Sequence, residues 1–106
     1  MFKVFNINKT GLNEDTINSI RSAVKNIAEI SQVIIYGSRA KGSYRNGSDI
    51  DLCLIGNDLS TDTVLKLSQK LDELYSPYSF DISVYEKLDN PKFKDHIDRV
   101  GMVFYP

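Results

Sequence analysis

Residues 37–52 read GSRAKGSYRNGSDIDL, preceded by the β-branched run QVIIY (32–36) and continued by CLI (53–55). Gln32 to Tyr36 has the composition of a buried strand, and Gly37 stops it. A loop with three glycines and three basic residues follows, and then a second strand from Asp49 to Ile55. Strand side chains alternate between faces, so Asp49, Asp51 and Cys53 point one way while Ile50, Leu52 and Leu54 point the other. The apolar set must face helices, which sets Asp49 and Asp51 side by side on the exposed face of the sheet. A third strand, Phe80 to Tyr85, repeats the device, with Ile82 and Val84 inward and Asp81 and Ser83 outward. Where these two strands are neighbours, three carboxylates converge.

Helices are predicted around these strands. Asn13 is an N-cap, Glu14 and Asp15 place negative charge in the first turn, and Leu12 can staple against Ile17. Ile17, Ile20, Val24 and Ile27 then form one apolar stripe that ends near Ile30. Ser60 caps a second helix with the stripe Val64, Leu67, Leu71 and Leu74, which Pro77 cannot continue. Asn90 and Pro91 open a third, with Phe93, Ile97 and Val100 on its apolar face and Gly101 at its end. The first ten residues fit neither period and read as a short edge strand or a packed extension, whereas Met102 to Tyr105 read as extended and packed. The expected fold is α+β: a small mixed sheet flanked by helices in αβαβαβα order, one domain over residues 1–106.

Composition limits what such a domain does. The 106 residues are 42% hydrophobic and 25% charged, within the range of soluble globular domains. Thirteen basic against fourteen acidic residues give a net charge of −1, which argues against a general affinity for nucleic acid or anionic membrane, so phosphate binding must be local. The single cysteine forms no internal disulfide, Met1 to Thr10 lacks the pattern of a signal peptide, and no apolar run is long enough to span a bilayer. A cytoplasmic protein is expected.

Three ionised carboxylates on one patch repel, and each raises the pKa of the others unless a cation is present. Hard oxygen ligands without His or Cys suit Mg²⁺ or Mn²⁺ rather than zinc. Gly37 ends a strand and Ser38 opens a short helix, so backbone N–H groups and a hydroxyl face the same edge as the acids and make a phosphate cradle. Arg39, Lys41 and Arg45 lie in the same acid-free stretch, Arg39 and Lys41 nearest the cradle. Cys53 shares the acidic face but reads as a small filler, since no histidine is placed to activate it. His96, the only histidine, reads as solvated. Tyr75, Tyr78, Tyr85, Phe104 and Tyr105 fit either a partner-binding surface or, more simply, caps on a small core.

Gly37-Ser38, ten residues, Asp49-Ile50-Asp51 and an aspartate on the next strand, Asp81, resemble the DNA polymerase β-like nucleotidyltransferase superfamily. The run GSRAKGSYRNGSDIDL is similar to the minimal nucleotidyltransferases of prokaryotes. The resemblance implies the polymerase β-like fold, ATP as substrate and two Mg²⁺ ions as cofactors. It implies that Gly37 and Ser38 hold the β- and γ-phosphates, that Asp49 and Asp51 bridge the metals, and that Asp81 completes the catalytic shell and helps deprotonate the attacking hydroxyl. It further implies a HEPN-domain partner, with which the chain acts as antitoxin, some members moving AMP onto a tyrosine of that partner. Two other readings stand beside this: adenylylation of a small molecule, as aminoglycoside nucleotidyltransferases do, and a non-catalytic antitoxin acting by binding alone.

Overall fold

Each of the three long helices in the computed structural model, which describes residues 2–74 and 77–106, begins at the cap its sequence offers. Asn13 accepts from the Thr16 amide at 2.8 Å ahead of α2 (Glu14–Lys25). Ser60 and Thr63 form a reciprocal capping box ahead of α4 (Thr61–Asp72). Asn90 accepts from the amides of Lys92 and Phe93 ahead of α5 (Pro91–Val100), with Pro91 in its first turn. Two short helices complete the set, α1 (Ile7–Thr10) and α3 (Ser38–Lys41), and a 3₁₀ turn covers Tyr85–Lys87.

The strands are β1 (Ile30–Tyr36), β2 (Ile50–Gly56), β3 (Phe80–Val84) and β4 (Met102–Tyr105), ordered β3-β2-β1-β4 in one sheet. β1 is antiparallel to β2 and β4, and β2 is parallel to β3, so the sheet is mixed as expected. Within the N-terminal segment the structure has α1 and an isolated bridge from Lys3 to Met102, so it is a packed extension with one turn of helix rather than an edge strand. A four-residue helix carries no stripe, which is why period analysis passes over it. The third strand stops at Val84, one residue before the expected end, because the chain turns into the 3₁₀ helix at Tyr85.

Both faces of the sheet are covered, which corrects the expectation of one exposed face. On one side Ile17, Ile20 and Val24 of α2 and Leu67 and Leu71 of α4 pack on Val33, Ile35, Ile50, Leu52, Leu54 and Phe104. On the other, Ile97 of α5 lies with Ile34, Tyr36 and Cys53 in a smaller core, against which Phe2, Phe93 and Val100 pack. Alternation shows which residues share a face, not what covers it, and here the amphipathic α5 folds over the far end of the acidic face. Cys53 is fully buried there, a filler as its sequence context suggests.

Among the aromatics weighed as partner contacts, Phe104 is in the main core, Tyr105 packs against it, and Tyr85 donates to Asp98 at 2.8 Å. These cap the fold; Tyr75 lies outside the described residues.

Candidate functional site

The site begins where β1 ends. Gly37 has φ +74 and ψ −155, a conformation that side chains oppose. A Cβ there would also overlap the carboxylate of Asp51. Glycine is therefore required twice over: the chain must turn sharply into α3, and Asp51 must lie directly against the turn. The Gly37 carbonyl accepts from Ala40 at 3.2 Å and from Lys41 at 3.1 Å, and left-handed Gly42 closes the short helix. The Gly37-Ser38 turn and the Asp51 carboxylate thus occupy one corner of the molecule.

Register assembles the rest. Tyr36 pairs with Asp51 across the antiparallel β1–β2 ladder, and Asp51 pairs with Asp81 across the parallel β2–β3 ladder. Residues opposite each other on neighbouring strands project to the same side. Tyr36, Asp51 and Asp81 therefore form a row on one face, and the two strands carrying the acids are neighbours. Asp49 lies one residue ahead of β2 and is exposed, as is Asp81, while Asp51 is partly buried.

The electrostatics follow from this crowding. Asp51 is raised from 3.8 to about 6, first by burial, then by the charges of Asp81 and Asp49, with Arg39 opposing. Burial likewise pushes the Tyr36 phenol up to about 12, opposed by its contact with Ser83 and reinforced by Asp81 and Asp51. Its hydroxyl lies 3.4 Å from the Ser83 Oγ. Asp81 and Asp49 thus both act on Asp51. Even so, among the described residues no three of His, Cys, Asp or Glu stand close enough to make a ready metal cage.

The basic residues divide. Lys41 and Arg45 are exposed, and the Arg45 amide donates to the Ser48 Oγ at 2.8 Å. Arg39, placed on sequence grounds beside the phosphate cradle, is only 3% exposed, and its guanidinium is directed to backbone carbonyls of Thr10 and Ser48. A charge count reveals that a side chain is cationic but not what it is bonded to.

The sequence places Ser83 on the face of the acids, but Tyr36 was passed over as their neighbour. Its position just ahead of Gly37 was the available signal. His96 is also less solvated than expected. It is partly buried, 6.2 Å edge-on from the Tyr36 ring, and its pKa is lowered by burial and then by Lys41 and Arg99, against Asp95. Its spacing of three from Phe93, which meets the same ring at 5.5 Å, places both on one side of α5.

A turn fixed by glycine, with paired acids on adjacent strands, is the arrangement that the sequence motif requires. Residues 18–106 match the family model described as Polymerase beta, Nucleotidyltransferase. The chain belongs to this family. The nucleotidyltransferase is 31% identical over 96 residues to a candidate protein adenylyltransferase of Methanocaldococcus jannaschii, covering 87% of this chain and 93% of that one. A second such protein of that organism is 37% identical over 62 residues, 58% of this chain; the match spans only 45% of that relative's length. In fold, the nucleotidyltransferase is similar to a chain from a crystal structure of a toxin-antitoxin with AMP-PNP, with a TM-score of 0.68, 22% identity, and coverage of 88% of this chain and 73% of that one. It is also similar to a chain from the complex of a tri-AMPylated Shewanella oneidensis HEPN toxin with its MNT antitoxin, with a TM-score of 0.65, 18% identity, and coverage of 88% and 71%. Among the described residues of the nucleotidyltransferase, no helix is long and apolar enough to cross a membrane.

Proposed function

We propose that this nucleotidyltransferase moves AMP from ATP onto a tyrosine hydroxyl of a HEPN-domain partner, and that it acts in the cytoplasm as that partner's antitoxin. The in-register pairing of Asp51 with Asp81 beside the Gly37 turn carries the proposal. A nucleotide phosphate at the turn lies next to paired acids, and Asp81, on an edge strand, is exposed to an acceptor arriving from outside. A hydroxyl borne by another protein can reach such a site. The adenylyltransferase relatives and the AMPylated HEPN complex support the same reading.

The donor set fits Mg²⁺. A carboxyl held up at about 6 by burial and by two like charges marks a site short of positive charge. An Mg²⁺ ion is ordinarily held by one or two carboxylates together with substrate phosphates. Asp49, Asp51 and Asp81 would hold two such ions, which when bound neutralise phosphate charge and favour the ionised acceptor hydroxyl.

The chain's own residues do the positioning. Gly37, with no Cβ, lets the backbone approach the β- and γ-phosphates, the Ser38 hydroxyl donates to them, and exposed Lys41 offsets their charge. Asp81 accepts the proton of the acceptor hydroxyl, whose oxygen attacks the α-phosphorus in line as pyrophosphate leaves. Alignment and charge neutralisation supply most of the acceleration.

Incubation with α-labelled ATP and Mg²⁺, with and without a HEPN partner, tests the proposal. Label is expected on a partner tyrosine, and chelation should abolish it. A stable complex that takes up no label with any metal or nucleotide would leave binding alone as the function; label found only on a small-molecule acceptor would exclude the protein acceptor.

A further inference from the structure

The loop between α3 and β2, residues 42–49, is exposed along most of its length, yet it ends at Asp49, a residue whose position matters if the proposed function is right. The loop's far end is fixed at Ile50, whose amide donates to the Ser79 carbonyl at 2.9 Å, and the stretch before it needs a hold of its own. No apolar side chain in the loop is buried, so a hydrophobic anchor is not available.

Arg39 occupies that place. Its Nη1 donates to the Thr10 carbonyl at 2.7 Å, and Nε and Nη2 donate to the Ser48 carbonyl at 3.3 and 3.1 Å. Its guanidinium carbon sits 5.1 Å from the Tyr44 ring centre and 4.9 Å from that of Tyr78. The group gives its N–H donors to two carbonyls and its cationic carbon lies over two rings. A planar, delocalised cation can do this and an ammonium cannot. The four contacts come from separate stretches of chain: Thr10 from the end of α1, Tyr44 and Ser48 from the loop, and Tyr78 from the approach to β3.

The receiving groups are themselves fixed. Thr10 is fully buried, its hydroxyl donating to the Ile7 carbonyl at 2.8 Å and accepting from the Leu12 amide at 3.1 Å. The Tyr44 ring covers Gly11, where any Cβ would overlap it. Among the described residues Arg39 forms no ion pair; the pairs present are Lys66 with Glu29 and Arg99 with Asp95. A buried cation without a bonded carboxylate is costly unless its donors are satisfied; here two carbonyls take its donors, two rings lie beside it, and its charge also reaches Asp51.

We propose that Arg39 is a positioning residue, not a phosphate ligand: its guanidinium ties the 42–49 loop to the N-terminal segment and to the β3 approach, and thereby holds Asp49 in place beside Asp51. The inference rests on the proposed role of Asp49 for its catalytic consequence, but not for its structural one. Two variants separate these. Arg39→Lys keeps the charge and loses the fork, whereas Tyr44→Leu removes one ring and leaves Arg39 intact.

Amide hydrogen exchange without nucleotide should show residues 43–49 exchanging about tenfold faster or more in both variants while α2 stays protected. In transfer assays both should lose about tenfold or more in kcat, with KM for ATP within about threefold of the parent, and their effects should be far from additive in the double variant. Unchanged loop exchange in both variants would overturn the inference. So would a rise in KM for ATP confined to Arg39→Lys, the signature of a phosphate ligand. If Arg39→Lys does not fold, Tyr44→Leu decides by the same two readouts. If the parent chain transfers nothing, the proposed function fails and the exchange experiment still settles the brace.

Discussion

The two faces of β2 differ in kind although they share a backbone. Ile50, Leu52 and Leu54 point into a dry core closed by α2 and α4 and are fully buried. Their alternates descend from fully buried Cys53, beneath α5, through partly buried Asp51 to exposed Asp49. One face is uniform and stabilises the fold. The other is graded from apolar to acidic, and the charge collects where the cover of α5 runs out. A strand of seven residues can thus anchor a core and carry an acid of the proposed site at once, provided that the two tasks fall on opposite parities.

Substitutions on the two parities should break this comparison in opposite ways. The largest effect is expected from Asp51→Ala, which should cut nucleotidyl transfer by about a thousandfold or more while leaving the circular dichroism of the fold intact and its metal-free melting no lower than the parent's. Residual turnover near the parent level would remove Asp51 from the catalytic set. On the other parity Leu52→Ala, one residue away, should lower unfolding free energy by about 2–5 kcal/mol in urea titration, because it opens a cavity in the main core. A loss below about 1 kcal/mol would mean that the core relaxes around the gap.

Two smaller effects sharpen the electrostatic side. ATP with Mg²⁺ at about a hundred times its dissociation constant should stabilise the chain by about 2.7 kcal/mol, read as a rise in Tm, since it binds the folded acidic corner alone. Neither component by itself should match the pair. Asp51→Asn in the absence of metal should stabilise by about 1 kcal/mol at pH 7, after allowance for the solvent screening of a partly exposed group. The sign follows from a folded pKa of about 6 against an ordinary 3.8. Below pH ~4 both states are protonated and no penalty exists; between about 4 and 6 the unfolded chain releases its proton first and folding weakens; above about 6 the penalty is complete. Urea titrations at pH 4 and pH 7 check this, and an equal gain at both would assign it to something other than charge.

Much of this was legible in the residues. Asn13, Ser60 and Asn90 marked the helix starts because a short polar side chain ahead of an apolar stripe has little else to do. The acidic parity of β2 and β3 was legible for the same reason: alternation is a local property. Non-local facts were not. That β2 and β3 are neighbours depends on the path of α4, and that α5 covers Cys53 depends on how the chain returns after β3. Arg39 shows the limit most plainly, since its destination at Thr10 is set by the packing of a one-turn helix with no periodic signature. Charge and spacing describe what a side chain offers, and only the fold decides who receives it.

The parallel pairing of β2 with β3 has a further bearing on how activity arises as the chain is made. Gly37 and Asp51 belong to antiparallel neighbours and can meet as soon as that hairpin closes. Asp81 joins them only after the intervening helix has formed and carried the chain across the sheet, a slower, long-range event. A chain ending before β3 would lack Asp81, the third acid of the proposed site. Under the proposed function, transfer would wait on this crossover, which brings Asp81 into register with Asp51.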